Sequence, residues 1–216
     1  MTTPTITQLY LSRLLLNPHS RQVQNELAQP YEMHRTILRA FPDREEGGPG
    51  RVLFRVDMKS DSSRLVLLVQ SDKEPKWDKI TKQHLDYLAE EPDHKKFDPT
   101  LTPGQKLIFR LRANPTVKRN GKRLGIMSEK ERTEWLERKA SQSGFKIKPS
   151  DVLIISENNA TAIKVSADNR QTMIFSSAIF EGILEVQDPG RFNQTLQSGI
   201  GSAKSFGFGM LSIAPA

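Results

Sequence analysis

Apolar residues crowd positions 6–16, from Ile6 to Leu16, and that density predicts a buried or central strand. After the break at Asn17-Pro18, Ser20 reads as the N-cap of a short helix carrying Val23 and Leu27. Pro30 suits the first turn of a further helix, where its missing N–H costs nothing. Met33, Ile37, Leu38 and Phe41 then follow at helical spacing until Pro42 stops the run. Residues 47–50, Gly-Gly-Pro-Gly, form a loop, and 52–58 and 64–70 read as two strands. A helix is predicted over 77–88, then an acidic connector at 90–93 and a closing strand at 95–101.

The second half repeats this order. Residues 106–112 read as a strand. Ser128, with Glu131 three residues on, makes a capping box that opens a helix through Ala140. Strands are predicted at 152–165 and 173–186, a short helix from Pro189 through Leu196, and a last strand at 206–213. Two successive β-α-β-β-α-β patterns imply an α+β protein: two tandem ferredoxin-like (RRM-like) domains, each an antiparallel sheet with helices on one face. The expected division is 1–95 and 96–216.

Charge changes the picture next. Across the 216 residues the formal net charge is +7, and it is unevenly placed. From 101 to 128 there is no acidic residue, whereas Lys106, Arg110, Arg112, Lys118, Arg119, Lys122 and Arg123 are all basic. Ordinary surfaces mix signs, so this density favours a polyanionic partner bound with release of its counterions. No apolar run approaches the roughly 20 residues a membrane helix needs. Cysteine is absent, which removes disulfides, thiolate ligands and a cysteine nucleophile together. His19, His34, His84 and His94 have no zinc-site spacing, so neither metal nor cofactor is expected, and the expected location is cytoplasmic.

Two constellations could carry chemistry. In Pro30-Tyr31-Glu32-Met33-His34-Arg35, Tyr31 and His34 are i and i+3 and share a helix face. RNA supplies its own nucleophile in the 2′-OH. An enzyme must deprotonate that hydroxyl, protonate the 5′-oxygen and hold both in line with phosphorus. An imidazole titrating near neutrality beside a phenol suits that task. On spacing alone, a hydrogen-bonded pair supporting the helix fits as well. The second constellation runs from Gly199 through Gly201, Lys204, Ser205 and Gly207 to Gly209. It could form an anion-binding nest or a turn made for tight packing. Residues 204–211 also half-match the RNP1 motif of RNA-recognition modules, with Ser205 and Gly209 departing from it. Trp77, Tyr87 and Trp135 are placed in the core, and Glu129, Glu131, Glu134 and Glu137 on a solvated helix face.

Four segments in order carry a resemblance: residues 9–18 (LYLSRLLLNP), residues 31–37 with Ala40-Phe41-Pro42, residues 109–115 (FRLRANP), and the glycine-rich stretch from 199 to 212. Together they resemble the CasE family of CRISPR-associated repeat-processing endoribonucleases, in the wider RAMP superfamily. The resemblance implies metal-independent cleavage at the 3′ base of the repeat hairpin, giving a 2′,3′-cyclic phosphate and a 5′-OH. It implies retention of the crRNA product, membership of the Cascade complex, and no DNA contact of the subunit's own. The family's catalytic histidine falls on His34 and its assisting tyrosine on Tyr31. Arg35, the cations from Arg110 to Arg123, and the glycine-rich loop with Lys204 and Ser205 would hold the RNA. A non-catalytic hairpin-RNA-binding subunit of the same fold is the competing expectation.

Overall fold

The computed structural model describes residues 8–59, 64–157, 160–166 and 169–216. The first unit runs β1 (Leu9–Leu16), α1 (Arg21–Ala28), α2 (Pro30–Leu38), β2 (Val52–Lys59), β3 (Arg64–Ser71), α3 (Asp78–Thr81) and β4 (Asp93–Phe97). Its sheet order is β2-β3-β1-β4, with every pairing antiparallel. The second unit runs β5 (Lys106–Ala113), β6 (Thr116–Arg119), β7 (Lys122–Gly125), α4 (Glu129–Gln142), β8 (Phe145–Ser156), β9 (Ala160–Ser166), β10 (Asn169–Phe175), β11 (Ala178–Val186), α5 (Pro189–Ser198) and β12 (Leu211–Pro215). Its sheet is ordered β12-β5-β11-β8. Setting aside its two inserted hairpins, this is the strand order of the first unit again: two ferredoxin-like domains.

Each sheet buries one face under helices. In the first unit Val52, Phe54, Leu67 and Val69 pack with Met33 and Ile37 of α2. In the second, Phe109, Leu111 and Phe180 pack with Trp135 and Leu136 of α4 and Phe192 and Leu196 of α5. The Ser128 half of the capping box forms as expected, with Ser128 Oγ accepting from the Glu131 N–H at 3.2 Å, while the Glu131 carboxylate accepts the Ser128 hydroxyl at 3.1 Å. Ser20 occupies its N-cap position without a side-chain cap bond.

Several elements differ from expectation. The helix over 77–88 is a single turn, Asp78–Thr81. Beyond it the chain turns its backbone to the end of β1: Asn17 N–H donates to Tyr87 O at 3.0 Å and Ala89 N–H to Leu15 O at 2.8 Å. A continued helix would spend the Tyr87 carbonyl and the Ala89 N–H on its own ladder, so the segment leaves the helix through turns and reaches β1 at Leu88. The closing strand is Asp93–Phe97 because its register with β1 pairs Phe97 with Leu9, and a division between residues 95 and 96 passes through it. The long strands expected at 152–165 and 173–186 are interrupted, and β9 and β10 leave the main sheet as a separate hairpin. Positions 6–7 of the first expected strand, and 158–159, lie outside the described residues. The last strand starts at Leu211, later than expected, because Lys204–Phe206 form a 3-10 turn.

The domains meet through β2 and β3. Gln70 Nε2 donates to Leu196 O at 2.6 Å, and Arg55 Nη1 donates to Arg110 O at 3.3 Å. Leu53 sits beneath Gly199. The glycine-rich segment of the second domain is thereby laid against the edge strand of the first.

Candidate active site and nucleic-acid interface

Pro30 opens α2, and the i, i+3 spacing brings Tyr31 and His34 onto one face with ring centroids 6.2 Å apart and planes 27° from parallel. Their supports differ. His34 lies over Phe54 of β2, centroids 6.0 Å apart, whereas Tyr31 leans on Phe206 of the second domain at 5.5 Å. His34 is half-buried, and this desolvation holds its imidazole below the ordinary value. The neutral ring therefore dominates at neutral pH, ready to take a proton. Arg35, one residue on, is exposed and pairs with Glu32 at 2.9 Å.

Beneath α2, Glu26 is buried and gathers three donors: Gln22, the Thr36 hydroxyl at 2.5 Å and the Tyr87 hydroxyl at 2.5 Å. Thr36 belongs to the helix that carries His34, so this carboxylate ties that helix to α1 and to the segment after α3.

The basic stretch becomes a hairpin. β6 and β7 pair Lys118 with Arg123 and Arg119 with Lys122 across a two-residue turn. Asn120 and Gly121 take φ of 48° and 77°, the left-handed pair that a type I′ turn requires. Lys118, Lys122 and Arg123 are exposed, and Arg119 is paired with Glu131 at 2.7 Å. Asn-Gly between short apolar-containing segments was the sequence signal for this hairpin.

Arg110 and Arg112 stand elsewhere, on β5, and are engaged by acids. Arg110 pairs with Glu181 at 3.0 Å and with Asp57 at 3.6 Å. Arg112 pairs with Glu157 at 2.7 Å and covers the Phe208 ring at 4.7 Å. Both line an interdomain cleft of about 570 Å³, together with Phe54, Phe206 and Gly207.

The glycine-rich segment is packed within the protein. Lys204 is half-buried, and burial, then the charges of Arg51 and Lys139, lower its pKa from the usual lysine value. Ser205 lies beside it in the 3-10 turn. A side chain at Gly199 would meet Gly209 O at 2.8 Å, and one at Gly209 would meet Ile200 O at 2.7 Å. Gly201 abuts Trp135, and Gly207 abuts Phe54. Phe206 and Phe208 are buried with Phe175 and lie off the strands, so the RNP1-like stretch offers no exposed stacking platform. Trp77, Tyr87 and Trp135 are core residues, as read from the sequence.

Sequence reasoning overlooked Arg132 of α4. It is 2% exposed and donates to Ile126 O at 3.0 Å, Ser156 Oγ at 2.6 Å and Ser176 Oγ at 3.4 Å. The signal was its spacing: Arg132 stands three, four and eight residues before Trp135, Leu136 and Ala140, on the buried face of α4.

The fold and site define a double ferredoxin-like protein with an imidazole–phenol pair on its second helix and a cationic hairpin on its second domain. The chain belongs to the CRISPR associated protein family, whose model matches residues 9–215. It is 35% identical over 215 residues to the CRISPR-associated endoribonuclease Cse3 of Thermus thermophilus, covering 96% of this chain and all of that one. It is 30% identical to the Cascade subunit CasE of Escherichia coli, again over 96% of this chain and all of the relative. The structure of Thermus thermophilus Cse3 bound to an RNA representing a pre-cleavage complex matches with a TM-score of 0.82 and 36% identity, over 96% of this chain and 100% of that one. Among the described residues, no helix is long and apolar enough to cross a membrane.

Proposed function

We propose that this chain is an endoribonuclease that cleaves CRISPR repeat RNA at the 3′ base of its hairpin without a metal ion. The observation that carries the reading is the Tyr31–His34 pair with its desolvated imidazole, in a chain that spans the whole length of the Cse3 endoribonuclease. The neutral imidazole suits removal of the 2′-OH proton, directly or with Tyr31 orienting the hydroxyl. The 2′-oxygen attacks phosphorus, the P–O5′ bond breaks, and the leaving oxygen takes a proton. The products are a 2′,3′-cyclic phosphate and a 5′-OH.

Lys118, Arg119, Lys122 and Arg123 would hold the stem through its phosphates, since A-form RNA is read chiefly by shape and backbone. Arg35 and Lys204 are the cations offered nearer the cut, with Ser205 beside Lys204. Arg110 and Arg112 would reach RNA only through the interdomain cleft. The Escherichia coli relative is a Cascade subunit, and we assign this chain the same assembly, with its crRNA product retained, in the cytoplasm.

The test is single-turnover cleavage of hairpin repeat RNA in EDTA, beside a copy with one 2′-deoxy residue at the cut site. Cleavage of the first alone, lost in His34→Ala with binding kept, is the expected result. Binding of both RNAs without cleavage would replace this reading with a hairpin-binding subunit.

A further inference from the structure

Residues 206 and 207 are consecutive, yet each bears on a different member of the Tyr31–His34 pair. Phe206 lies against Tyr31 itself, 5.5 Å between centroids. Gly207 lies against Phe54, the ring under His34: a Cβ there would stand 3.3 Å from Phe54 Cε2. The 3-10 turn that ends at Phe206 touches both α2 and β2.

This step is rooted firmly in the second domain. Phe206 packs on Phe175 at 4.9 Å, and Phe175 packs on Phe208 at 5.4 Å, below the Arg112 guanidinium. Gly209 N–H donates to Arg112 O, and Ile200 N–H donates to Gly209 O, both at 2.8 Å. Ala203 takes φ of 62°, a conformation costly for a residue with a Cβ and held here by the surrounding packing. Gly199, Gly201, Gly207 and Gly209 all take positive φ, and the protein's own atoms approach each of them closely. That close internal approach is itself a reason for glycine at these positions.

We propose that the Phe206-Gly207 step is a positioning element for the Tyr31–His34 pair, setting the relative placement of the two rings by buttressing one directly and the other through Phe54. Neither residue takes part in proton transfer. The first domain alone would leave Tyr31 without its wall, so the pair is complete only when the second domain is docked. The inference rests on the nuclease reading above and adds a role for the glycine-rich signature.

The experiment compares wild type, Phe206→Ala, Phe206→Tyr, Lys204→Ala and His34→Ala in the full chain. RNA affinity and single-turnover rate are measured separately on hairpin repeat RNA. Misplacing a reacting group by about 1 Å costs on the order of a hundredfold in rate. Phe206→Ala should therefore cleave about ten- to a hundredfold more slowly, with affinity within about twofold of wild type. Phe206→Tyr, which keeps the ring, should recover most of that rate. Wild-type cleavage by Phe206→Ala would overturn the proposal. So would an affinity loss in Phe206→Ala that matches its rate loss and that of Lys204→Ala, which would return the loop to a phosphate-binding role. If wild type and His34→Ala behave alike, the nuclease reading fails first, and the two failures are distinguishable.

Discussion

The Tyr87 hydroxyl donates to the Glu26 carboxylate at 2.5 Å, joining side chains 61 residues apart that are each 1% exposed. Burial first, then the Glu26 charge and this bond, push the phenol far above its usual range, so it stays a donor. With the Thr36 hydroxyl on the same carboxylate, the bond fixes the helix that carries Tyr31 and His34. Glu26→Ala would strand buried donors, at about 1–3 kcal/mol for each unsatisfied group. We expect a melting temperature lowered by several degrees in a thermal unfolding scan, and cleavage reduced further than RNA binding. An unchanged melting temperature would show that the carboxylate does not hold the helix.

The desolvation of His34 sets the pH behaviour. Its folded pKa lies below the unfolded value of about 6.5, so protonation favours the unfolded chain. The sign follows: His34 imposes no cost above that value, and stability falls as pH drops below it. Base catalysis should follow the same group, with the acidic limb of the single-turnover rate lying below about pH 6.5. A limb centred above about 6.5 at subsaturating protein, where the rate reports the free enzyme, would count against His34 as that base.

The hairpin should report itself through salt. Each phosphate contact removed flattens the dependence of log affinity on log salt by about one unit or slightly less. Replacing Lys118, Lys122 and Arg123 together by alanine should reduce the slope by about two to three. Arg119→Ala should change it less, because Glu131 already compensates that charge. Equal effects from all four positions would mean that the Arg119–Glu131 pair opens on RNA.

Arg132 anchors the exit of that hairpin through Ile126 O and the turn between β10 and β11 through Ser176. Arg132→Met removes two buried hydrogen bonds and a part-buried one, and leaves Ile126 O with the Ser176 hydroxyl alone. The expected loss is about 2–4 kcal/mol in denaturant unfolding, with weaker RNA binding where the fold survives. Wild-type stability would show that methionine packing substitutes for the network.

Much of the architecture could be read from the chain itself. Local rules placed β1, β2 and β3, the proline-opened α2 and α5, and the Ser128 capping box, because hydrophobic period and cap chemistry act over a few residues. The same short range placed Tyr31 and His34 on one helix face and gathered the cations of 101–128. Asn120-Gly121 carries a hairpin signal of the same short range, which the reading of that segment as a basic run left out.

Tertiary structure decided the rest. The segment at 77–88 carries an apolar pattern compatible with helix, and pairing of Tyr87 and Ala89 with Asn17 and Leu15 took its second half out of the helix. Arg110 and Arg123 are indistinguishable as letters in one basic run. One is neutralised by Asp57, 53 residues earlier, and by Glu181, 71 residues later, and the other turns outward on a hairpin. The glycines of the last loop permit many conformations, and contacts with Leu53, Phe54 and Trp135 select one. Sequence determined what each segment could form and which groups could react. Which of those groups met, and which charges stayed free, depended on desolvation and contact across distant segments, and those energies exist only once the domains have packed.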